Sequence, residues 1–156
     1  MARLSSGVYA RLPTERPNPR TRHIDRRSSL EIARAINRED ALVAEAVCRQ
    51  SRAIARGMEM LASCLRRKGT VVFLGAGTSG RLAVLEAAEC PPTYGTTPRE
   101  IRAVMAGGRS SVFRSKEGAE DDPGAGARAV AGLGGNDAVV GIAACGVTPF
   151  VRAALR

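Results

Sequence analysis

Aromatic side chains are scarce in this sequence of 156 residues, which has no tryptophan and only 3% aromatic residues. A hydrophobic core must therefore be built from alanine, valine, isoleucine and leucine. Proteins that bind single-stranded nucleic acids stack the bases on aromatic side chains, so this class of binder is not expected. The length is sufficient to bury a core without disulfide or metal staples.

Metal-binding side chains are also few. The single histidine is His23, and the four cysteines, Cys48, Cys64, Cys90 and Cys145, form no CxxC pair and have no histidine at ligand spacing. We therefore expect no metal site. A reduced intracellular chain is the simplest interpretation of these cysteines.

Long apolar segments are missing from the sequence as well. No run approaches the roughly 18 apolar residues that a membrane-spanning helix requires. The first twenty residues lack the apolar region of a secretory signal. We therefore expect no transmembrane helix, no secretory signal and no membrane partner.

Positive charge is in excess, with a formal net charge of +9, and almost all of it comes from arginine. Such a balance is typical of nucleic-acid-binding proteins, whose binding weakens steeply with salt. No motif of a known binding module occurs, so we expect no nucleic-acid partner and attribute the charge to a compositional preference for arginine. Seven arginines and three prolines in residues 1–27 predict a flexible basic tail.

Residues 28–68 carry apolar side chains near helical spacing. Ser28 or Ser29 is suited to cap a first helix, Asn37 to end it, and Asp40 to cap a second, longer helix. The sequence therefore predicts an N-terminal segment of two helices.

Apolar, β-branched runs alternate with helical patterns in residues 69–156. The runs are 70–74, 101–105 and 138–143. Continuous apolar runs of this length are typical of parallel strands covered on both faces, so we expect an α/β fold with a doubly wound parallel sheet. We expect Pro91 and Pro92 to stop the first intervening helix and a second helix to cover about 124–132. Three strands are few and nothing after the third can pair with it, so the sheet is expected to be incomplete and the domain truncated.

A glycine-rich loop follows the first strand. In it, Gly77, Thr78, Ser79 and Gly80 stand where a helix begins, and backbone N–H groups at a helix start bind phosphate well. The spacing matches neither the dinucleotide fingerprint nor the P-loop. We expect a phosphate-binding loop; the alternative is a tight turn that needs glycine for its geometry alone.

A second loop of similar character follows the third strand. It contains Cys145, Gly146 and Thr148. If the strand order is 2-1-3, both loops open into one crevice at the carboxyl edge of the sheet. These residues would then face the same anion, although Thr148 could equally be an ordinary helix cap.

Two groups of carboxylates are candidates for acid–base chemistry. Glu86 and Glu89 lie three apart on the helix after the first strand, and Glu117 and Glu120 belong to an acidic cluster before Pro123. Two separated carboxylates beside an anion pocket can exchange protons with a substrate. For any single one, a solvated surface position is the alternative.

These motifs together resemble one known family. Their order is Gly75–Arg81, Glu89–Gly95, Glu117–Asp121 and Val139–Ala144, followed by Gly146 and Thr148-Pro149. In order and spacing they resemble the N-acetylmuramic acid 6-phosphate etherases of the sugar isomerase (SIS) domain superfamily. The resemblance extends over roughly residues 14–156.

The resemblance implies a cytoplasmic, homodimeric lyase of cell-wall amino-sugar recycling, with a sugar-phosphate substrate and no metal or nucleotide cofactor. It would cleave the D-lactyl ether of N-acetylmuramic acid 6-phosphate to N-acetylglucosamine 6-phosphate and D-lactate. By match to the family, Glu89 would be the acid/base at the ether oxygen and Glu120 the second catalytic carboxylate. Residues Gly77–Gly80 and Cys145, Gly146 and Thr148 would surround the phosphate.

Some positions depart from the family. Cys145 replaces a usual serine and Val147 a usual arginine, which removes phosphate contacts. The family also continues well beyond position 156. A catalytically inactive sugar-phosphate-binding regulator, related like the glucokinase regulatory protein to this superfamily, is therefore the alternative function. Glu89 lies ten residues beyond Ser79, about 15 Å along an unbroken helix, so we expect it to serve the pocket of a neighbouring subunit.

Overall fold

The computed structural model describes residues 11–156, which form two compact units divided after Glu59. The expected tail lies partly outside this range, since residues 1–10 are not among the described residues. Within residues 11–156, no helix is long and apolar enough to cross a membrane.

The first unit begins with three short 3-10 turns, Pro13–Glu15, Pro19–Thr21 and Ile24–Arg26. Helix α1 follows at Ser29–Cys48. Arg20 donates two hydrogen bonds to the carboxylate of Glu39 on α1, at 2.6 and 2.7 Å, and the side-chain amide of Asn18 donates a third, at 2.8 Å. The segment around Arg20 is therefore attached to α1 by a charge-assisted cluster.

Ser28, one of the two residues that the sequence offers as a cap, starts α1, and it does so in a capping box. The hydroxyl of Ser28 accepts from the backbone N–H of Glu31, whose carboxylate accepts in turn from the backbone N–H of Ser28. The expected break at Asn37 and Asp40 is wrong, because α1 runs straight through both. Neither residue is a glycine or a proline, and each costs a continuing helix well under 1 kcal/mol.

The real break lies at Arg49 and Gln50, and helix α2 then covers Ser51–Arg66. The hydroxyl of Ser51 donates to the carbonyl of Cys48 at 2.5 Å, closing the turn between the helices. The two predicted helices are thus present, but the first is the longer one.

The second unit is an α/β layer built on three parallel strands. The strands are β1 (Val71–Gly75), β2 (Ile101–Met105) and β3 (Ala138–Ile142), in the order β2-β1-β3. The helices are α3 (Gly77–Tyr94), α4 (Ser110–Phe113), α5 (Pro123–Ala129) and α6 (Pro149–Ala154). The predicted α/β fold with a parallel sheet is confirmed.

Helices α3 and α6 cover opposite faces of the sheet. The buried side chain of Leu74 packs with Phe150 and Val151 of α6. At the next position, a Cβ on Gly75 would meet the backbone of Gly80 in α3 at 2.8 Å. Because successive residues of a strand point to opposite faces, the two helices sandwich β1.

Helix α3 continues through Pro91 and Pro92, contrary to expectation, and ends at Tyr94. Gly95 stops it with a left-handed φ of 68°, and its N–H donates to the carbonyl of Pro91 at 2.9 Å. The prolines remove only two N–H donors in the last turn, so the helix weakens there without ending.

The amino edge of the sheet is tied together by Asp137. Its carboxylate accepts from the backbone N–H of Thr70 and of Gly134, both at 2.7 Å. These two bonds lower the pKa of Asp137. They connect the chain entering β1 to the turn that leads into β3, at the edge opposite the candidate site.

Candidate functional site

The register of the sheet brings the ends of its strands to one edge. Gly75, the last residue of β1, is paired with Met105 of β2 and with Ile142 of β3. The loops that follow the three strands therefore start side by side. The strand order β2-β1-β3 meets the condition set in the sequence analysis, because it is the arrangement in which these loops share a crevice.

A cavity of about 280 Å³ lies at this edge. All three loops and the segment leading to α5 contribute to its wall. It is lined by Ala76, Gly77, Arg81, Met105, Ala106, Ser111, Ser115, Lys116, Glu117, Ala119, Glu120 and Thr148. Its size is near the lower end of small-ligand pockets, and its wall carries both cations and carboxylates.

The start of α3 reaches the wall through Gly77 and Arg81, whereas Thr78, Ser79 and Gly80 do not line the cavity. Gly77 has a left-handed φ of 57°, which lets the chain turn sharply from β1 into the helix. The first N–H groups of a helix have no intrahelical partner, and here they belong to Gly77, Thr78 and Ser79. Gly80 is buried, and its N–H donates to the carbonyl of Ala76 at 3.2 Å. The loop thus has the backbone arrangement of an anion-binding helix start.

Arg81 connects this turn to α4. Its Nε donates to the carbonyl of Val112 at 2.8 Å, and its Nη2 donates to the carbonyl of Ser111 at 3.0 Å. Further N–H groups of the same guanidinium remain available at the cavity. Arg81 therefore fixes α4 against the first turn of α3 and adds positive charge to the wall.

The loop after β3 contributes Thr148. This residue is the N-cap of α6, but its side chain makes no capping hydrogen bond, so capping does not occupy its hydroxyl. Cys145 is half-buried and Gly146 is exposed, with a φ of 69°. Neither of them lines the cavity.

The two predicted catalytic carboxylates lie in different places. Glu120 is half-buried and lines the cavity, together with its neighbour Glu117. Glu89 is exposed on α3 and is not part of the wall. Because α3 is unbroken from Gly77 to Tyr94, the ten residues from Ser79 to Glu89 span about 15 Å.

Four polar residues of the wall were not predicted as site residues: Arg81, Ser111, Ser115 and Lys116. Arg81 directly follows the glycine loop, so its position was a usable signal. Ser111 and Lys116 follow Gly107 and Gly108, a glycine pair after the second strand that corresponds to the glycines after the first. That parallel could have drawn attention to them, but nothing in the sequence shows that Ser111 is buried.

A larger cavity of about 610 Å³ adjoins the first and shares Met105, Lys116, Glu117 and Ala119 with it. Its remaining wall comes from the loop after β2 and from α5 and α6. In residues 11–156, no three His, Cys, Asp or Glu side chains are grouped closely enough to hold a metal ion.

Fold and site together define an α/β domain with a polar cavity at the carboxyl edge of a parallel sheet, and a comparison with known families identifies the class of domain. The model described as the glucokinase regulatory protein N-terminal SIS domain matches residues 53–156. The chain belongs to this SIS-domain family.

Curated relatives point to a more specific resemblance within this family. The three described next are each named N-acetylmuramic acid 6-phosphate etherase. The protein from Salinibacter ruber is 50% identical over 147 residues, covering 93% of this chain and 47% of the relative. That from Gloeobacter violaceus is 47% identical over 148 residues, covering 94% and 48%. That from Geobacillus thermodenitrificans is 44% identical over 147 residues, covering 93% and 50%. The resemblance predicted from the motifs is confirmed, and the chain spans about half the length of the relatives it matches.

Proposed function

We propose that this chain is a sugar-phosphate lyase of the etherase type. It would cleave the D-lactyl ether of N-acetylmuramic acid 6-phosphate to N-acetylglucosamine 6-phosphate and D-lactate, in cytoplasmic recycling of cell-wall amino sugars. The observation that carries the proposal is the convergence of Gly77, Thr148 and Glu120 on one cavity. An anion-binding helix start, a hydroxyl and a carboxylate are the groups that a sugar phosphate and its acid–base chemistry require.

The 6-phosphate would bind at the first turn of α3. The N–H groups of Gly77, Thr78 and Ser79 point out of the helix start, the dipole of α3 favours negative charge, and Thr148 adds a hydroxyl from the opposite loop. Arg81 raises the local positive potential. These donors suit a dianion, because several N–H groups share its charge.

The reaction would proceed by elimination and then hydration. Opening of the sugar ring makes C1 an aldehyde, which acidifies the proton on C2. A carboxylate removes that proton, the C3–O bond breaks, and the departing lactate oxygen is protonated. Water then adds across the C2–C3 double bond, placing hydroxyl on C3 and a proton on C2. Only proton transfers are needed, and Glu120 and Glu89 are the two carboxylates assigned to them.

Glu89 would act on the cavity of a second subunit in a homodimer. Its exposure and its distance along α3 from the phosphate-binding turn support this assignment. The phosphate and C3 of one hexose are closer together than about 15 Å. Exposed apolar side chains on α1, among them Leu30, Ile36 and Val43, offer a surface that association would bury.

The experiment is release of D-lactate from N-acetylmuramic acid 6-phosphate by the chain and its variants. Glu120→Gln and Glu89→Gln are each expected to lower kcat at least about 100-fold, because general acid–base groups typically contribute that much. Glu86→Gln is the matched control for Glu89, since it removes an exposed carboxylate from the same helix, and it should retain activity. Full activity of Glu120→Gln would refute the assignment of catalysis to this cavity.

Mixing two inactive variants tests the shared site. Glu89→Gln chains keep the phosphate-binding residues, and a Ser79→Ala/Thr148→Val chain keeps Glu89. When equal amounts of the two chains exchange subunits at random, half of the dimers contain one chain of each kind. Each of these dimers has one complete site out of two, so activity should return to about a quarter of the wild-type value. A mixture that stays inactive, although its subunits have exchanged, would show that Glu89 does not act across subunits.

A sugar-phosphate-binding regulator without catalysis is the second candidate. It is favoured by Cys145 and Val147, which replace a serine and an arginine usual in the etherases, and by the regulatory protein that gives the matched SIS model its name. Binding of N-acetylglucosamine 6-phosphate without any release of D-lactate would select this candidate. Turnover at a rate that depends on Glu120 would exclude it.

A further inference from the structure

Ser111 stands out among the residues of the cavity because its hydroxyl is buried without a partner. The residue is 2% exposed, and its Oγ makes no hydrogen bond in the structure. It lines the same cavity as Gly77, Glu120 and Thr148. A buried hydroxyl without a partner destabilises a folded protein, so the absence of any partner for this one calls for an explanation.

The backbone around Ser111 holds the hydroxyl in place. The N–H of Ser111 donates to the carbonyl of Gly108 at 3.0 Å, and its carbonyl accepts from Arg81 at 3.0 Å. A Cβ on Gly107 would lie 2.3 Å from the Oγ, so the glycine leaves the space that the hydroxyl occupies. Both backbone groups of Ser111 are thus satisfied, and the side-chain oxygen alone is left for a ligand.

The chemistry of this position differs from that of the phosphate-binding turn. A phosphate dianion needs several donors, whereas α4 offers a single neutral hydroxyl whose neighbouring N–H is already bonded to Gly108. The cavity wall carries two carboxylates, Glu117 and Glu120, which offset the charges of its two cations, Arg81 and Lys116, so no net positive charge is left for a second anion. A hydroxyl that both donates and accepts is suited to a sugar hydroxyl or an amide oxygen.

We propose that the Ser111 hydroxyl is a specificity-determining contact to a neutral hydroxyl or amide group of the bound amino-sugar phosphate. This inference rests on the proposed sugar-phosphate site and adds to it a residue that recognises the sugar rather than the phosphate. The unsatisfied hydroxyl destabilises the empty protein and is satisfied only when the sugar is bound. Residues at binding sites commonly reduce stability in this way.

The test combines thermal unfolding with calorimetric binding on Ser111→Ala. The ligands are N-acetylglucosamine 6-phosphate and inorganic phosphate. The ligand-free variant should melt at a higher temperature than the wild type, because an unsatisfied buried polar group is removed. Its affinity for the sugar phosphate should fall about 3- to 10-fold, as for a lost neutral hydrogen bond. Its affinity for inorganic phosphate should stay within about twofold of the wild-type value, the change expected where no hydrogen bond is lost.

Ser110→Ala is the matched control, since Ser110 is the exposed neighbour on the same short helix and does not line the cavity. It should change neither the melting temperature nor the affinities. An unchanged affinity of Ser111→Ala for the sugar phosphate would overturn the proposal, and so would an equal loss for inorganic phosphate. A wild-type chain that binds no sugar phosphate would overturn the proposed function itself, which the wild-type titration reveals before any variant is compared.

Discussion

The close approach of α3 to β1 makes a sharp prediction for Gly80. A Cβ at this position would lie 2.6 Å from the carbonyl oxygen of Gly75 and 2.9 Å from Cγ of Met105. The methionine side chain can move, but the carbonyl oxygen belongs to the central strand and also accepts from the N–H of Ala106 at 3.0 Å. Ala at position 80 therefore forces the helix start away from the strand.

The expected size follows from two opposing contributions. Replacing glycine with alanine inside a helix gains about 1 kcal/mol, whereas overpacking a buried contact costs about 1–3 kcal/mol, and more where backbone must shift. The Gly80→Ala variant should therefore lose about 1–2 kcal/mol of unfolding free energy, which lowers the Tm by about 5–10 °C for a domain of this size. Thermal unfolding followed by circular dichroism measures it.

Gly57→Ala is the control for Gly80→Ala. Gly57 also lies inside a helix, but a Cβ there would meet nothing within 4 Å. This variant should gain up to about 1 kcal/mol. If Gly80→Ala melts at or above the wild-type temperature, as Gly57→Ala is expected to, the close packing of α3 on β1 would be refuted.

Two further predictions concern acid stability. Side-chain hydrogen bonds from Arg20 and Asn18 lower the pKa of Glu39 from 4.5 to about 2, so the attachment of the Arg20 segment to α1 should be complete above pH 4.5 and be lost as the pH falls through about 2. An NMR titration of the Arg20 Nε–H should follow this loss, and Glu39→Gln should abolish the pH dependence; a midpoint near 4.5 would show that the cluster does not form. The depressed pKa of Asp137 likewise adds stability that is present above the ordinary Asp value of 3.8 and lost on acidification. The Asp137→Ala variant should therefore have a lower Tm than the wild type at neutral pH, and the difference should shrink toward pH 2. A constant difference across that range would contradict the two backbone contacts.

The three strands of the second unit could be predicted from the sequence because each rests on local chemistry, whereas their order depends on long-range pairing and entered the prediction only as a condition. An apolar β-branched run such as 70–74 has few alternatives to a buried strand. The glycines after it mark a sharp turn into a following helix, and the alternation of strands with helices favours parallel pairing. The convergence of Gly77 and Thr148 on one cavity follows from that topology.

The ends of the helices could not be predicted in the same way. Whether α1 stops at Asn37 or continues to Cys48, and whether α3 passes through Pro91, are choices between conformations of similar free energy. The contacts with the surrounding structure decide between them. The burial of Ser111 is a similar case. It depends on the space beside Gly107 and on the hydrogen bonds from Arg81, which join positions 30 and 31 residues apart and which no local pattern encodes.

Arg81 joins the predicted and the unpredicted parts of the site. Its two hydrogen bonds fix the backbone of Ser111 and Val112 relative to the first turn of α3. The helix start proposed to bind the phosphate and the Ser111 hydroxyl proposed to contact the sugar are therefore held at a constant separation. A ligand must reach both groups to gain the binding energy of both contacts. Rigid spacing of this kind gives specificity at low entropic cost, because little is left to order when the ligand binds. It also explains why the close packing at Gly80, directly before Arg81, matters for the site as well as for stability: a shift of the α3 start would move the phosphate-binding turn and the Ser111 hydroxyl out of register.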